Sequence, residues 1–252
     1  KDLRQFRKGW KGALPLPYVR AYTFRLLNAL TLLDTLGIIH ADLKPDNILV
    51  TKKGDNIKLA DFGSAMNESQ VQVTPLLVSR YYRAPEIILG MKYGMAIDMF
   101  ALGCTVYELA MGRPMLRSRD NNHHLSLLLE YKGVPTKKFL AKGCFSRDHF
   151  DTQGRFLEHT SDPADPTRAI VRKVTINRSR SILNELNELY TGLTKDQKVF
   201  VGFLADFIEK CVEFQPEKRL TPVLGRQHNF FKKLFPEEDG EPKLKQPAEK
   251  KK

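Results

Sequence analysis

Cysteine is scarce in this 252-residue chain: Cys104, Cys144 and Cys211 are the whole complement, and no two of them form a Cys-x-x-Cys pair. That excludes a dense disulfide framework and a cysteine-rich zinc ribbon. Two of the three lie in apolar, helix-like stretches, where structural thiols sit, so a reduced intracellular compartment is the expected setting. No apolar run is long enough to cross a bilayer, and the opening residues lack a signal-peptide pattern. Glycines are scattered rather than gathered. Gly9-Trp10-Lys11-Gly12 has no flanking strand pattern and reads as an ordinary loop. Acidic residues are the minority, 29 against 41 Lys and Arg, for a net charge of +12. Such a balance permits contact with RNA or acidic protein segments without showing it. An RNA-binding reading rests on charge alone, because no basic motif interleaved with aromatics is present.

What the chain does have is enough apolar material, 42% of its residues, for one substantial core. Pro17 to Leu36 carries Val19, Thr23, Leu26, Leu27, Leu30 and Leu33 at three-and-four spacing and predicts a helix that Gly37 stops. Tyr93 to Met111 predicts a largely apolar helix that contains Asp98. Lys198 to Phe214 predicts an amphipathic helix with Phe200, Phe203, Leu204, Phe207, Ile208, Cys211 and Val212 on one face. Thr221-Pro222 reads as an N-cap and a helix-starting proline. Residues 133–192 are expected to be loop-rich. From Pro236 onward apolar residues almost vanish, which predicts a disordered charged tail over 236–252.

The chemistry is concentrated in His40-Ala41-Asp42-Leu43-Lys44-Pro45-Asp46-Asn47, with Asp61-Phe62-Gly63 fourteen residues after Asn47 and Ala84-Pro85-Glu86 beyond it. A lone Asp before Leu-Lys-Pro is ordinarily a turn residue or N-cap, and a lone Asp-Phe-Gly a loop with an anchoring aromatic. All three in this order and spacing suit phosphoryl transfer. That reaction needs an aligned hydroxyl, metal ions on the phosphate oxygens, and positive charge where negative charge develops. Asp42 suits the proton of a hydroxyl, Lys44 suits a phosphate, and Asn47 and Asp61 offer hard oxygens to Mg²⁺. Ile48-Leu49-Val50 and Ile57-Lys58-Leu59 flank a Gly-containing turn, so a small β-hairpin should carry Asn47 and Asp61 toward one locus. His123-His124 point different ways on a helix, which favours capping near Asn121 and Asn122 over a metal site.

On these motifs the chain resembles the C-terminal lobe of a eukaryotic protein kinase. Val78-Ser79-Arg80-Tyr81-Tyr82-Arg83-Ala84-Pro85-Glu86 is similar to the CMGC group. His-Ala-Asp at 40–42, the Thr74-to-Arg80 loop, Asn121-Asn122-His123 and the Lys142-to-Asp151 segment resemble its splicing-associated branch, the pre-mRNA-processing-factor kinases. The resemblance implies a mainly α lobe over 1–235 with a CMGC-type insert at about 133–192 that docks partners. It also implies ATP and Mg²⁺ as cofactors, and protein Ser/Thr hydroxyls, splicing factors among them, as substrates, with no requirement for nucleic acid or membrane. A nuclear location is implied too; Lys250-Lys251-Lys252 is compatible with import and more so with a solvated tail.

Residue by residue, the resemblance makes Asp42 the catalytic base, Lys44 a phosphate contact, Asn47 and Asp61 the Mg²⁺ ligands, and Leu49 the residue under the adenine. Ser79 and Arg83 would shape the substrate pocket, and His40 would be structural. Glu86 would pair with Arg219, and Asp98 would hydrogen-bond the backbone around residues 40–42. Ala41 stands where most kinases place an Arg that holds an activation-loop phosphate, so strong dependence on such a phosphate is not expected. Leu76 replaces a tyrosine of related kinases, and Phe100 a tryptophan. The β-rich N-terminal lobe is not found ahead of Asp42, which predicts a chain with little or no activity by itself. The alternative is a non-catalytic protein-binding module.

Overall fold

The structure is a computed structural model that describes residues 1–10, 12–165 and 167–232. The tail expected at 236–252 lies outside the described residues. The chain opens with α1 (Leu3–Lys8), capped by Asp2, whose side chain accepts from Gln5 N–H. The long α2 (Leu16–Thr35) follows, within one residue of its expected bounds. Every position picked out by its three-and-four pattern is buried. β1 (Ile38–Ile39) leads into the catalytic-type loop, and β2 (Ile48–Val50) pairs antiparallel with β3 (Ile57–Leu59) in the expected hairpin. β4 (Met66–Asn67) returns to β1 with Ile38 opposite Asn67.

After the short α3 (Pro85–Ile88) comes α4 (Ala96–Met111), whose residues Ile97 to Ala110 are all buried. That all-round burial explains why its sequence has no polar face. Gly112 ends it at φ 77, a left-handed cap that its neighbour could not adopt cheaply. α5 (Asn121–Lys132) and α6 (Lys137–Leu140) follow, then an antiparallel pair, β5 (Phe156–Ser161) with β6 (Ala169–Val174). The 133–192 region is therefore less irregular than its sequence suggests. It holds a hairpin of two six-residue strands and also α7 (Ile182–Leu189).

α8 spans Lys195–Cys211, one turn earlier at both ends than the apolar pattern predicts. The shift has a local cause: Thr194 and Gln197 form a reciprocal capping box, a signal upstream of the aromatic run. α8 lies against α4, where a side chain on Gly103 would meet Cys211 Cβ and Val212 Cγ1 at 2.7 Å. Only glycine permits that approach. α9 (Pro222–Arg226) starts on the Thr221 cap as expected, and α10 (Asn229–Lys232) carries Phe230 and Phe231 onto Phe207. The core thus runs continuously from α2 through α4 to α8, with the catalytic-type loop laid across one end of α4.

Candidate active site

The loop from His40 to Asn47 is anchored from below. Asp98, in the first turn of α4, accepts from His40 N–H at 2.7 Å and Ala41 N–H at 2.9 Å. These are the backbone contacts the sequence resemblance implies. Burial pushes the Asp98 carboxyl up to about 7 against the opposing pull of those two N–H groups. The His40 ring lies edge-on to Phe62 at 5.0 Å, and its Nε2 meets the Ala60 carbonyl at 3.0 Å. Burial lowers its pKa. His40 therefore links the segment before Asp42 to the segment that bears Asp61.

Asp42 is the centre of a closed polar group. Lys44 Nζ donates to its Oδ2 at 2.6 Å, and Ser79 Oγ donates to its Oδ1 at 2.7 Å. Lys44 Nζ also donates to Ser79 Oγ at 2.7 Å, which closes a triangle of three side chains. Burial pushes the Asp42 carboxyl up, but the hydrogen bonds from Lys44 and Ser79 and the Lys44 charge outweigh it and hold the group below its ordinary value. It is a carboxylate at neutral pH. Asn47 donates its amide N–H groups to the Asp42 carbonyl and to Asp42 Oδ2, both at 2.9 Å. Among the described residues its Oδ1 has no hydrogen-bond partner.

The β2–β3 hairpin extends by one further bond, from Ala60 N–H to the Asn47 carbonyl at 2.9 Å. Asn47 and Asp61 therefore leave the same end of one ladder. Asp61 is exposed, and its Oδ1 takes only a 3.2 Å bond from Gly63 N–H. Two hard oxygens, one neutral and one anionic, fit Mg²⁺ rather than zinc, and the nearby His40 imidazole is engaged by the Ala60 carbonyl and the Asp42 N–H. Leu49 faces outward from β2 and is half exposed. Among the described residues, three non-glycine positions have positive φ: Ala41 (62°), Asp61 (61°) and Val78 (68°). Each costs about 1–2 kcal/mol, and all three flank this group. Strain gathered at one locus marks it as functional.

The segment from Ser79 to Glu86 is fixed by two arginines. Arg83 donates to the Leu77 carbonyl at 2.8 Å, to the Val78 carbonyl at 2.8 Å and to Asn121 Oδ1 at 2.5 Å. It thus holds the left-handed turn that delivers Ser79. Arg219 meets Glu86 through two parallel bonds of 2.6 and 2.7 Å in a fully buried pair, as implied. Phe100 lies under the Arg219 guanidinium at 5.2 Å.

Sequence reasoning missed a second buried chain. Arg7 donates to Glu108 Oε1 at 2.7 Å, and Tyr82 Oη donates to Glu108 Oε2 at 2.6 Å, which ties α1 to the loop beside Ser79. Glu108 inside an apolar helix was the available signal, since such a charge demands partners. The His123-His124 pair lies in the first turn of a capped helix, with the cap next to Asn121 and Asn122. Asp120 caps α5 by accepting from His123 N–H at 2.7 Å. The buried His124 bridges Ser118 Oγ and the Arg83 carbonyl, both at 3.0 Å.

Residues 2–231 match the protein kinase domain family. The chain belongs to that family. This kinase domain is 40% identical over 234 residues to the serine/threonine-protein kinase prp4 of Schizosaccharomyces pombe, covering 91% of the chain and 48% of that protein. It is 39% identical over 220 residues to the serine/threonine-protein kinase prpf4B of Dictyostelium discoideum, covering 87% of the chain and 27% of that protein. A dual specificity tyrosine-phosphorylation-regulated kinase, mbk-2 of Caenorhabditis elegans, is 35% identical over 234 residues, covering 88% of the chain and 27% of that protein. The kinase domain described here thus spans about half the length of one of these relatives and about a quarter of the other two.

Proposed function

We propose that this domain transfers the γ-phosphate of ATP to serine or threonine hydroxyls of protein substrates. The reading rests on one observation above others: Asp42 is ionised and held in place by Lys44, Ser79 and Asn47 while the strained backbone turns at 41, 61 and 78 converge around it. A substrate hydroxyl would take the place that Ser79 Oγ now shares, with Asp42 orienting it and accepting its proton. Lys44 would then pass from Ser79 to a phosphate oxygen. Asn47 through Oδ1 and Asp61 through its carboxylate would hold Mg²⁺, which supplies charge neutralisation on the phosphates. Leu49, exposed on β2, is the apolar surface on which the adenine would rest.

The similarity to prp4 and prpf4B supports substrates tied to pre-mRNA processing and a nuclear location. A non-catalytic docking module is the competing reading. Single-turnover transfer from labelled ATP to a Ser-containing peptide, with the chain in excess over ATP, separates the two. Asp42→Asn should lower the rate about 10²- to 10⁴-fold while the far-ultraviolet spectrum stays unchanged. Equal rates for the variant and the parent would leave only the docking reading.

A further inference from the structure

The β5–β6 hairpin has one closed edge and one open one. On the β5 side, Leu157 N–H donates to the His149 carbonyl at 2.8 Å. Asn122 spans the next step with its side chain, donating to the Leu157 carbonyl at 2.8 Å and accepting from His159 N–H at 2.9 Å. Arg119 closes the row on the His159 carbonyl at 3.3 Å. Leu157 and His159 therefore aim their backbone groups away from β6. In the antiparallel register they stand opposite Lys173 and Val171. Residues opposite each other in such a non-bonded pair both turn their N–H and C=O outward. Lys173 and Val171, with Ala169 opposite Ser161, thus present along the outer edge of β6 a row of backbone groups unpaired among the described residues.

The side chains on that edge select one kind of occupant. Ala169, Val171, Arg172 and Lys173 are exposed, Val171 by 61%. Arg172 and Lys173 have no ion-pair partner among the described residues, and Arg168 reaches Asp162 only at 4.0 Å with its side chain 72% exposed. A second copy pairing antiparallel through this edge would set Arg172 or Lys173 against itself when the two-fold passes through that residue, and like charges directly opposite are unfavourable. Lysine on an edge protects against such self-pairing. It does not oppose a strand of the other sign.

We propose that the outer edge of β6 takes an extended acidic segment of a partner protein as an added antiparallel strand. An apolar residue of that segment would sit beside Val171, and the carboxylates alternating with it would lie on the face of Arg172 and Arg168, with Lys173 adding positive charge from the other face. Backbone bonds to Val171 and Lys173 would supply affinity, and the flanking charges would supply selection. This proposal does not depend on phosphoryl transfer, because its readout is binding alone.

The test uses the whole chain and an eight-residue peptide of alternating Glu and Val, blocked at both ends, with hydrogen exchange followed by NMR. Saturating peptide should slow exchange at the amides of Val171 and Lys173 at least tenfold. The double substitution R172E/K173E should weaken binding at least tenfold. A peptide N-methylated at alternate positions should not bind, and this control needs no change to the protein. Three results would overturn the proposal. One is equal binding of a Lys-Val peptide; another is slowing that follows protein concentration without peptide, which means self-pairing. The third is protection of the same amides by a single-stranded RNA oligonucleotide when the Glu-Val peptide gives none.

Discussion

Asp42 and Asp98 are two aspartates with opposite environments, and the difference sets what each can do. Asp42 receives an ammonium, a hydroxyl and a carboxamide, so it remains an anion through the neutral range. Asp98 receives two backbone N–H groups in a fully buried position, and its folded-state pKa is raised to about 7 from 3.8. A raised folded pKa means that stability carried by the protonated form is complete below the ordinary value and is lost as pH rises through about 7. Asp98→Asn keeps one acceptor but turns an amide N–H toward a backbone donor. The variant should be less stable than the parent at pH 5, and the gap should narrow by pH 8. Urea unfolding at both pH values measures it, and a gap that does not change with pH would refute the assignment. Ser79 is the second residue worth testing. Ser79→Ala leaves Asp42 with Lys44 and Asn47 only, and should raise KM for peptide substrate more than it lowers kcat.

At the scale of elements, the paired Glu86 and Arg219 join α3 to the turn before α9, with both side chains buried. Glu86→Ala strands a buried guanidinium and should cost about 3–5 kcal/mol, read as a lower urea midpoint. Loss of under about 1 kcal/mol would mean that the pair behaves as if exposed. This contact was legible only through the kinase resemblance, which names its two ends, whereas α2, whose apolar spacing is regular, and the β2–β3 hairpin, whose turn carries Gly54, were legible from the residues themselves. Three features were not legible. α8 starts at Lys195 because a Thr–Gln capping box outranks the aromatic stripe in setting the boundary. The β5–β6 hairpin hides because only Phe156 of its twelve residues is buried, so its strands have no clean alternation. The Arg7–Glu108–Tyr82 chain joins residues up to 101 positions apart, which no local pattern encodes.

Across the whole molecule, a helical frame built on α4 presents one polar locus, and each long-range tie serves its position. Asp98 holds the loop from beneath, Arg83 holds the turn at Val78, and the ladder from Asn47 to Ala60 sets the two oxygen donors at one hairpin end. The central claim is that Asn47 and Asp61 share one metal–nucleotide site beside Asp42. Paramagnetic Mn²⁺ in place of Mg²⁺, added with ADP to the isotope-labelled chain, tests it most directly. The account predicts strong line broadening at both Asn47 and Asp61 that Asp61→Asn abolishes at both. Broadening at one of the two only, or undiminished broadening in the variant, would contradict it.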